Sequence, residues 1–331
     1  MGTSALAVHP DLEVLWPRVS TSGEEVRLDG RPLPFDRDEL PRSLQEVAWE
    51  LYLHWYTRTD DLDGFDVAQD EYDHLLRRLG EGRDRWERGW AVALELDDGT
   101  VLVEKDARRQ WVRPGGYVLR NPHGQAGAGA RVDLFLPGCD DRLQEGFVHF
   151  FGATLSDSDP SLDLLRVYLS HPPGRMVAIL PALLATLDRH HLPYRLKVLR
   201  RVADYRRADT AVLYVEDRYA PLALRLAAGV AGAAGRPSPR LVAVLRPGIG
   251  IAEDPSGGTS FGMDRCYSIA TGLSQLLGRP DAAPGEVAGA VLAALRADGV
   301  DPARPWYTRG SHRAAAAYRA YLGFPDALLP G

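Results

Sequence analysis

Two alternating segments, Ala91–Leu96 and Thr100–Glu104, flank Asp97-Asp98-Gly99 and commit the middle of the chain to an antiparallel hairpin. The Asp-Gly pair accepts the positive φ angles of a tight turn, and alternation gives each strand one face to bury. Arg131–Leu136, Gly146–Ala153, Leu162–Leu169, Ala211–Val215 and Leu241–Leu245 read as further strands, with Asn121–Ala130 as a Gly-rich loop. In Tyr194–Leu199 the residues Tyr194, Leu196 and Val198 face one way and Arg195 and Lys197 the other.

Helical spacing takes over elsewhere. Between Arg42 and Arg58 the apolar residues Leu44, Val47, Ala48, Leu51, Tyr52 and Trp55 form one stripe, with Pro41 and Ser43 at its start. Helices are also expected over Gln69–Leu79, within Arg175–His190 (where Pro181 begins or kinks it), and over Leu222–Ala234, Met263–Leu277, Glu286–Ala297 and His312–Tyr321. Pro247–Gly262 reads as a loop. The class is α+β, with an N-terminal β-rich hairpin region and a C-terminal mixed helix/strand region around one cleft. Residues 1–40 read as an irregular arm. Residues 41–160 read as a helix plus β-rich lobe, a candidate for peptide binding, and 161–331 as an α+β region, forming one domain or two with it.

Bulk properties remove several classes of function. At 331 residues and 45% hydrophobic the chain can bury a large core, yet it holds no apolar run long enough to span a bilayer. Met1–Leu15 lacks the basic-then-apolar pattern of a secretory signal, and the two cysteines, Cys139 and Cys266, make neither a disulfide framework nor a zinc site. A cytoplasmic setting follows as the expectation. A net charge of −6 argues against a general nucleic-acid binder while leaving room for a local basic pocket. There is no GxxxxGK[ST], HExxH or GxSxG pattern, and Gly248-Ile249-Gly250 lacks the third glycine of a dinucleotide fingerprint. The pair His190-His191 suits a helix end better than a metal, because adjacent helical residues point apart. Neither a metal nor a cofactor is expected.

What remains is cationic. Lys197 sits on a short strand among apolar neighbours, with Arg195 beside it. Tyr205, Arg207 and Asp209 alternate, so an extended segment would put them on one face and let Asp209 orient Arg207. Ser256-Gly-Gly-Thr-Ser260-Phe-Gly262 runs into a helix containing Arg265, and a Gly-rich turn feeding a helix N-terminus offers N–H groups to an anion.

Several ordered blocks resemble the HopA-type effector family. They are Gln144-Glu-Gly-Phe-Val-His-Phe-Phe-Gly152, Arg166-Val-Tyr168, Tyr194-Arg-Leu-Lys197, Tyr205-Arg-Arg207-Ala-Asp209, Val212-Leu-Tyr214, Gly250-Ile-Ala-Glu-Asp-Pro255, and Ser260-Phe-Gly262 with Arg265. The resemblance covers roughly the last two-thirds of the chain. It departs at His149, where an aromatic residue is common, and at Ser170, where an amide is often found. The family includes secreted effectors of plant pathogens. It also includes lyases of ribosomal peptide pathways, among them class V lanthipeptides and thioamitides. Those lyases act after a kinase to give dehydroalanine or dehydrobutyrine, with a logic similar to the phosphothreonine lyases.

That resemblance implies a phosphoserine/phosphothreonine lyase with two partners, a phosphorylated precursor peptide and a separate kinase. Elimination needs a base for the α-proton, a clamp for the departing phosphate and a donor for the developing enolate. Lys197 is the candidate base, since a lysine acts as one only when neutral, a form that burial beside cations favours. Arg207 and Arg265 are the candidate phosphate clamps, followed by Arg166 and Arg195, with Ser260 at the helix start and Asp209 in support. For the acid, His149, His171, Tyr168 and Tyr205 all qualify by type. The alternative is a non-catalytic HopA-like effector or scaffold that holds a phosphopeptide or partner protein.

Overall fold

The computed structural model describes residues 7–58, 66–106, 108–121, 123–152, 163–232, 235–255 and 259–308. The expected helix His312–Tyr321 and the glycines at 257 and 258 lie outside these. Among the described residues helices and antiparallel sheets combine in an α+β fold.

The N-terminal stretch corrects the expectation of an irregular arm. After the short helix α1 (Pro10–Glu13), strands β1 (Val19–Ser22), β2 (Glu25–Leu28) and β3 (Arg31–Pro32) make a three-stranded sheet. Its inward residues are few: Val19 and Thr21 on β1, Val26 and Leu28 on β2. Four-residue strands carry too little alternation to stand out from charge and glycine. Helix α2 (Leu40–Leu51) buries the expected stripe and continues through a π-helical turn, Tyr52–Tyr56; α3 (Gln69–Gly80) follows.

Strands β4 (Arg85–Glu95), β5 (Val101–Lys105), β6 (Arg108–Val112), β7 (Tyr117–Leu119) and β8 (Arg131–Leu136) form a five-stranded sheet in the order β6-β5-β4-β8-β7. It has its own small core of Trp90, Val92, Val101, Val103, Val132 and Leu134. Arg83 fastens it to the rest, donating to Asp188 at 2.7 Å and to the Tyr194 hydroxyl at 2.6 Å.

The main sheet has seven antiparallel strands. They are β9 (Cys139–Asp140), β10 (Phe147–Phe151), β11 (Leu164–Leu169), β12 (Arg195–Leu199), β13 (Ala211–Glu216), β14 (Ala243–Arg246) and β15 (Ile249–Glu253), in the order β14-β15-β11-β13-β12-β10-β9. Around it lie α4 (Pro173–Arg189), which runs through Pro181, α5 (Ala220–Ala231), α6 (Phe261–Ser274) and α7 (Pro284–Ala297). Strand β15 overturns the reading of Pro247–Gly262 as a loop. All five of its residues are buried, so it shows no polar alternation to read. Gly250 is required within it, because a Cβ there would lie 2.7 Å from Val242 Cγ2 and 3.0 Å from Ser238 Oγ.

One buried carboxylate ties the N-terminus to this sheet. Asp11 accepts from Arg58, from Arg240 Nη1 at 3.0 Å and from the Leu241 N–H at 2.9 Å. Removing it leaves two guanidiniums unpaired at a largely buried junction. Asp11→Ala is expected to cost about 3 kcal/mol of stability, read as a lower urea midpoint with an unchanged slope.

Candidate active site

Register builds the site. Across the main sheet, Asp140, His149, Lys197, Val212, Tyr168 and Gly250 lie opposite one another in a single row. The adjacent row on the same face is Phe151, Arg195, Tyr214, Arg166 and Ala252. Paired residues of antiparallel strands share a face. Residues scattered over a hundred positions therefore meet, while Leu196, Val198, Leu213 and Val167 take the other side. The π-helical turn roofs the polar face: Tyr52 and Tyr56 stack at 5.3 Å, and Tyr56 donates to the Tyr168 hydroxyl at 3.2 Å. Gly262 at the start of α6 admits this roof, since a Cβ there would come within 2.4 Å of the Tyr56 ring.

Between roof and sheet is a narrow cleft of about 10 Å3, lined by Tyr52, Tyr56, Arg166, Tyr168, Lys197, Asp209, Val212, Ser260 and Gly262. Lys197 is 4% exposed. Its Nζ sits 4.4 Å from the Phe147 ring centre and 3.4 Å from Gln144 Oε1. Among the described residues no carboxylate pairs with it. Burying an ammonium without such a partner is costly, and an incoming anion offsets that cost. Arg166 pairs with Asp254, donates to the Thr259 carbonyl at 3.4 Å and lies 5.0 Å from the Tyr214 ring centre. Arg195 lies over the same Tyr214 ring, 4.1 Å from its centre.

Arg207 and Asp209 meet as expected, in a two-point pair at 2.9 and 2.7 Å, and Tyr52 joins them, donating to Asp209 at 2.7 Å. Burial alone would raise the Asp209 carboxyl, but Arg207, Lys197 and Tyr52 outweigh it and hold the group below its ordinary range. Ser260 caps α6, accepting from the Met263 N–H at 3.2 Å, and so brings a helix N-terminus to the cleft.

Three expectations need correction. Tyr205 shares no face with Arg207 and Asp209, because Val202–Arg206 is a 3-10 turn. Its hydroxyl meets that of Tyr72 at 2.5 Å in a separate buried contact. Arg265 does not line the cleft. Its guanidinium donates to the carbonyls of Pro305 at 2.8 Å and Tyr307 at 2.6 Å and pairs with Asp264, so it anchors residues 305–307 under α6. His171 lies by the Gly248 turn, with its N–H donating to Thr210 Oγ1 at 3.2 Å.

His149 does lie in the Lys197 row, but burial, with Arg195 and Lys197 nearby, pushes it down to about 3. It is therefore neutral near pH 7. Tyr168 remains as a donor at the cleft. Burial, only partly offset by Arg166 and by Tyr56, pushes its phenol up to about 12, so it keeps its proton. Sequence reasoning missed Tyr52, Tyr56, Phe147 and Tyr214, whose aromatic periodicity reads as plain core. Among the described residues no cluster of three His, Cys, Asp or Glu could hold a metal, and no helix is long and apolar enough to cross a membrane.

The segment that builds this face is also the segment that a family model recognises, residues 139–307, just over half of the chain. The chain belongs to the HopA1 effector protein family. Among solved structures it is similar to the effector protein from Pseudomonas syringae pv. tomato strain DC3000, at 14% identity and a TM-score of 0.44 over 80% of this chain and 99% of that one. The effector protein from Pseudomonas syringae pv. syringae strain 61 matches at 14% identity and 0.42, over 83% and 99%. No curated protein matches. The HopA1 segment thus carries the sheet, Lys197 and the arginines, while Tyr52 and Tyr56 come from outside it.

His149 gives the HopA1 sheet an acid sensitivity. It is neutral when folded, but in the unfolded chain it takes a proton below about pH 6.5, so stability falls as pH falls through that value towards 3. From pH 6.5 to 4.5 this amounts to about 2 kcal/mol. The unfolding free energy from urea curves should drop by that much more for the natural chain than for His149→Phe, which keeps the ring stacked on Phe151.

Proposed function

We propose that this chain is a phosphoserine/phosphothreonine lyase. It would convert a residue phosphorylated by a separate kinase into dehydroalanine or dehydrobutyrine within a precursor peptide, in the cytoplasm. The observation that carries the reading is Lys197, buried without a carboxylate partner in the cleft that also holds Arg166 and the N-terminus of α6. Such a group can hold an anion or, once neutral, take a proton. Lys197 Nζ removes the α-proton, that electron pair forms the Cα=Cβ bond, and the Cβ–O bond breaks with its electrons leaving on phosphate. Arg166, Arg207 and the α6 N–H groups stabilise the departing anion, and Tyr168 is placed to donate to it. Arg195 adds positive field from the adjacent row. Every charge-handling role falls to a side chain or backbone group, and no cofactor is invoked.

A second reading has its own observation. Arg166 and Arg207 are already paired with Asp254 and Asp209. That suits a non-catalytic effector or scaffold that holds phosphopeptide without turning it over. Purified chain and phosphopeptide separate the two. A lyase lowers the peptide mass by phosphoric acid and leaves an alkene that a thiol adds to, whereas a binder leaves the mass unchanged.

Lys197→Ala should slow elimination by at least a hundredfold while the circular dichroism spectrum and melting temperature hold. Normal turnover in a folded Lys197→Ala protein rules out the base.

The two arginines first expected as clamps should now behave differently. Arg207→Lys loses the planar fork at the cleft edge and should weaken phosphopeptide binding more than binding of the plain peptide. Arg265→Lys loses its carbonyl contacts and should lower stability by about 1–3 kcal/mol without changing that preference. Affinities for both peptides, with a urea curve for each variant, check this.

A further inference from the structure

Tyr214, on the cleft-facing side of the main sheet, is a phenol on which three cations converge. Register sets it between Arg195 and Arg166, and its ring centre lies 4.1 Å from the first guanidinium, 5.0 Å from the second and 6.0 Å from Lys197 Nζ. Two of those three cations, Arg166 and Lys197, line the cleft. The titratable groups facing it are Arg166 and Tyr168 from β11, Arg195 and Lys197 from β12, and Asp254 just after β15.

We propose that Tyr214 is a positioning residue of the anion site, whose ring spaces Arg195, Arg166 and Lys197 and whose ionisation competes with substrate phosphate for their charge. The argument is one of shared countercharge. A phenolate at this point would satisfy the cations from within, and a phosphate monoester in the cleft satisfies the same cations from outside. Both cannot draw on them fully, so each disfavours the other by the same free energy. The chemistry of the neighbours agrees. Burial raises a phenol, as it does for Tyr52, Tyr56 and Tyr168 around the cleft, but at Tyr214 burial is outweighed by Arg166, Lys197 and Arg195, leaving the group below its ordinary value. With the proton on, the charge is available to substrate. With the proton off, the site is partly neutralised.

This rests on the cleft being a phosphate site, though not on the elimination step. The test uses the full chain, Tyr214→Phe and Tyr214→Leu, with inorganic phosphate as the ligand, from pH 8 upward, where it is a dianion. Tyrosinate absorbance in the near ultraviolet should show one phenol ionising below the ordinary range, absent from Tyr214→Phe and displaced upward by saturating phosphate. Phosphate affinity of the natural chain should then fall up to about tenfold per pH unit beyond that step. Tyr214→Phe, which keeps the ring, should match it within about twofold at pH 8 and lack that added fall. Tyr214→Leu should bind more weakly throughout, because the spacer is gone. An identical alkaline limb in the natural chain and Tyr214→Phe, or an early phenol step that phosphate leaves unmoved, overturns the proposal. A protein that binds phosphate with these shifts but leaves phosphopeptide mass unchanged defeats the lyase reading and leaves this one standing.

Discussion

Antiparallel pairing in the main sheet decides which side chains can cooperate. Lys197, Val212 and Tyr168 come from three strands and share a row only because each ladder holds its register. Side chains alternate along a strand, so a slip of one residue in β12 would send Lys197 to the aliphatic side and bring Leu196 to the cleft. The hydrophobic face prevents that slip. Leu196, Val198, Leu213 and Val167 are all essentially inaccessible to water, and exposing them to cations would cost several kcal/mol. The apolar side of the sheet thus holds the polar side in place.

Having been brought together, the cations are handled in three ways. Arg166 and Arg207 each keep a carboxylate, Asp254 and Asp209, which offsets the cost of desolvating them. Arg195 rests its guanidinium on an aromatic face. Lys197 has, among the described residues, no paired carboxylate: it meets the Phe147 ring, the more distant ring of Tyr214 and an amide oxygen at 3.4 Å, with Asp209 near enough to feel its charge. That gradient separates cations already neutralised by a carboxylate from the one left without such a pair.

Much of this was legible in the chain and some was not. Strand β8 falls on Arg131–Leu136, and the hairpin around Asp97-Asp98-Gly99 forms where alternation and turn chemistry agree. Lys197 and Arg195 share one face, as the period-two pattern of Tyr194–Leu199 indicates. The failures share a cause. Strand β15 is covered on both sides and carries Gly250, so nothing alternates. Residue type and spacing alone point Tyr205 and Arg265 to the site, yet their partners, Tyr72 and the carbonyls of Pro305 and Tyr307, are remote in sequence. The roof residues Tyr52 and Tyr56 read as core because they are buried. Only the sheet beneath them shows that what they cover is charged.

The turn that carries this roof departs from α-helical winding over Tyr52–Tyr56, accommodating one residue more per turn than the helix before it. It belongs to the part of the chain that precedes the family-matched segment. Floor and ceiling of the cleft therefore have separate provenance along the sequence. Rewinding that turn by one residue would swing both aromatic rings away together, because they stack on each other, without moving any atom of the strands below. The aperture can drift while the charged surface beneath it stays put, so entry to the cleft and the charge within it are set by separate stretches of chain.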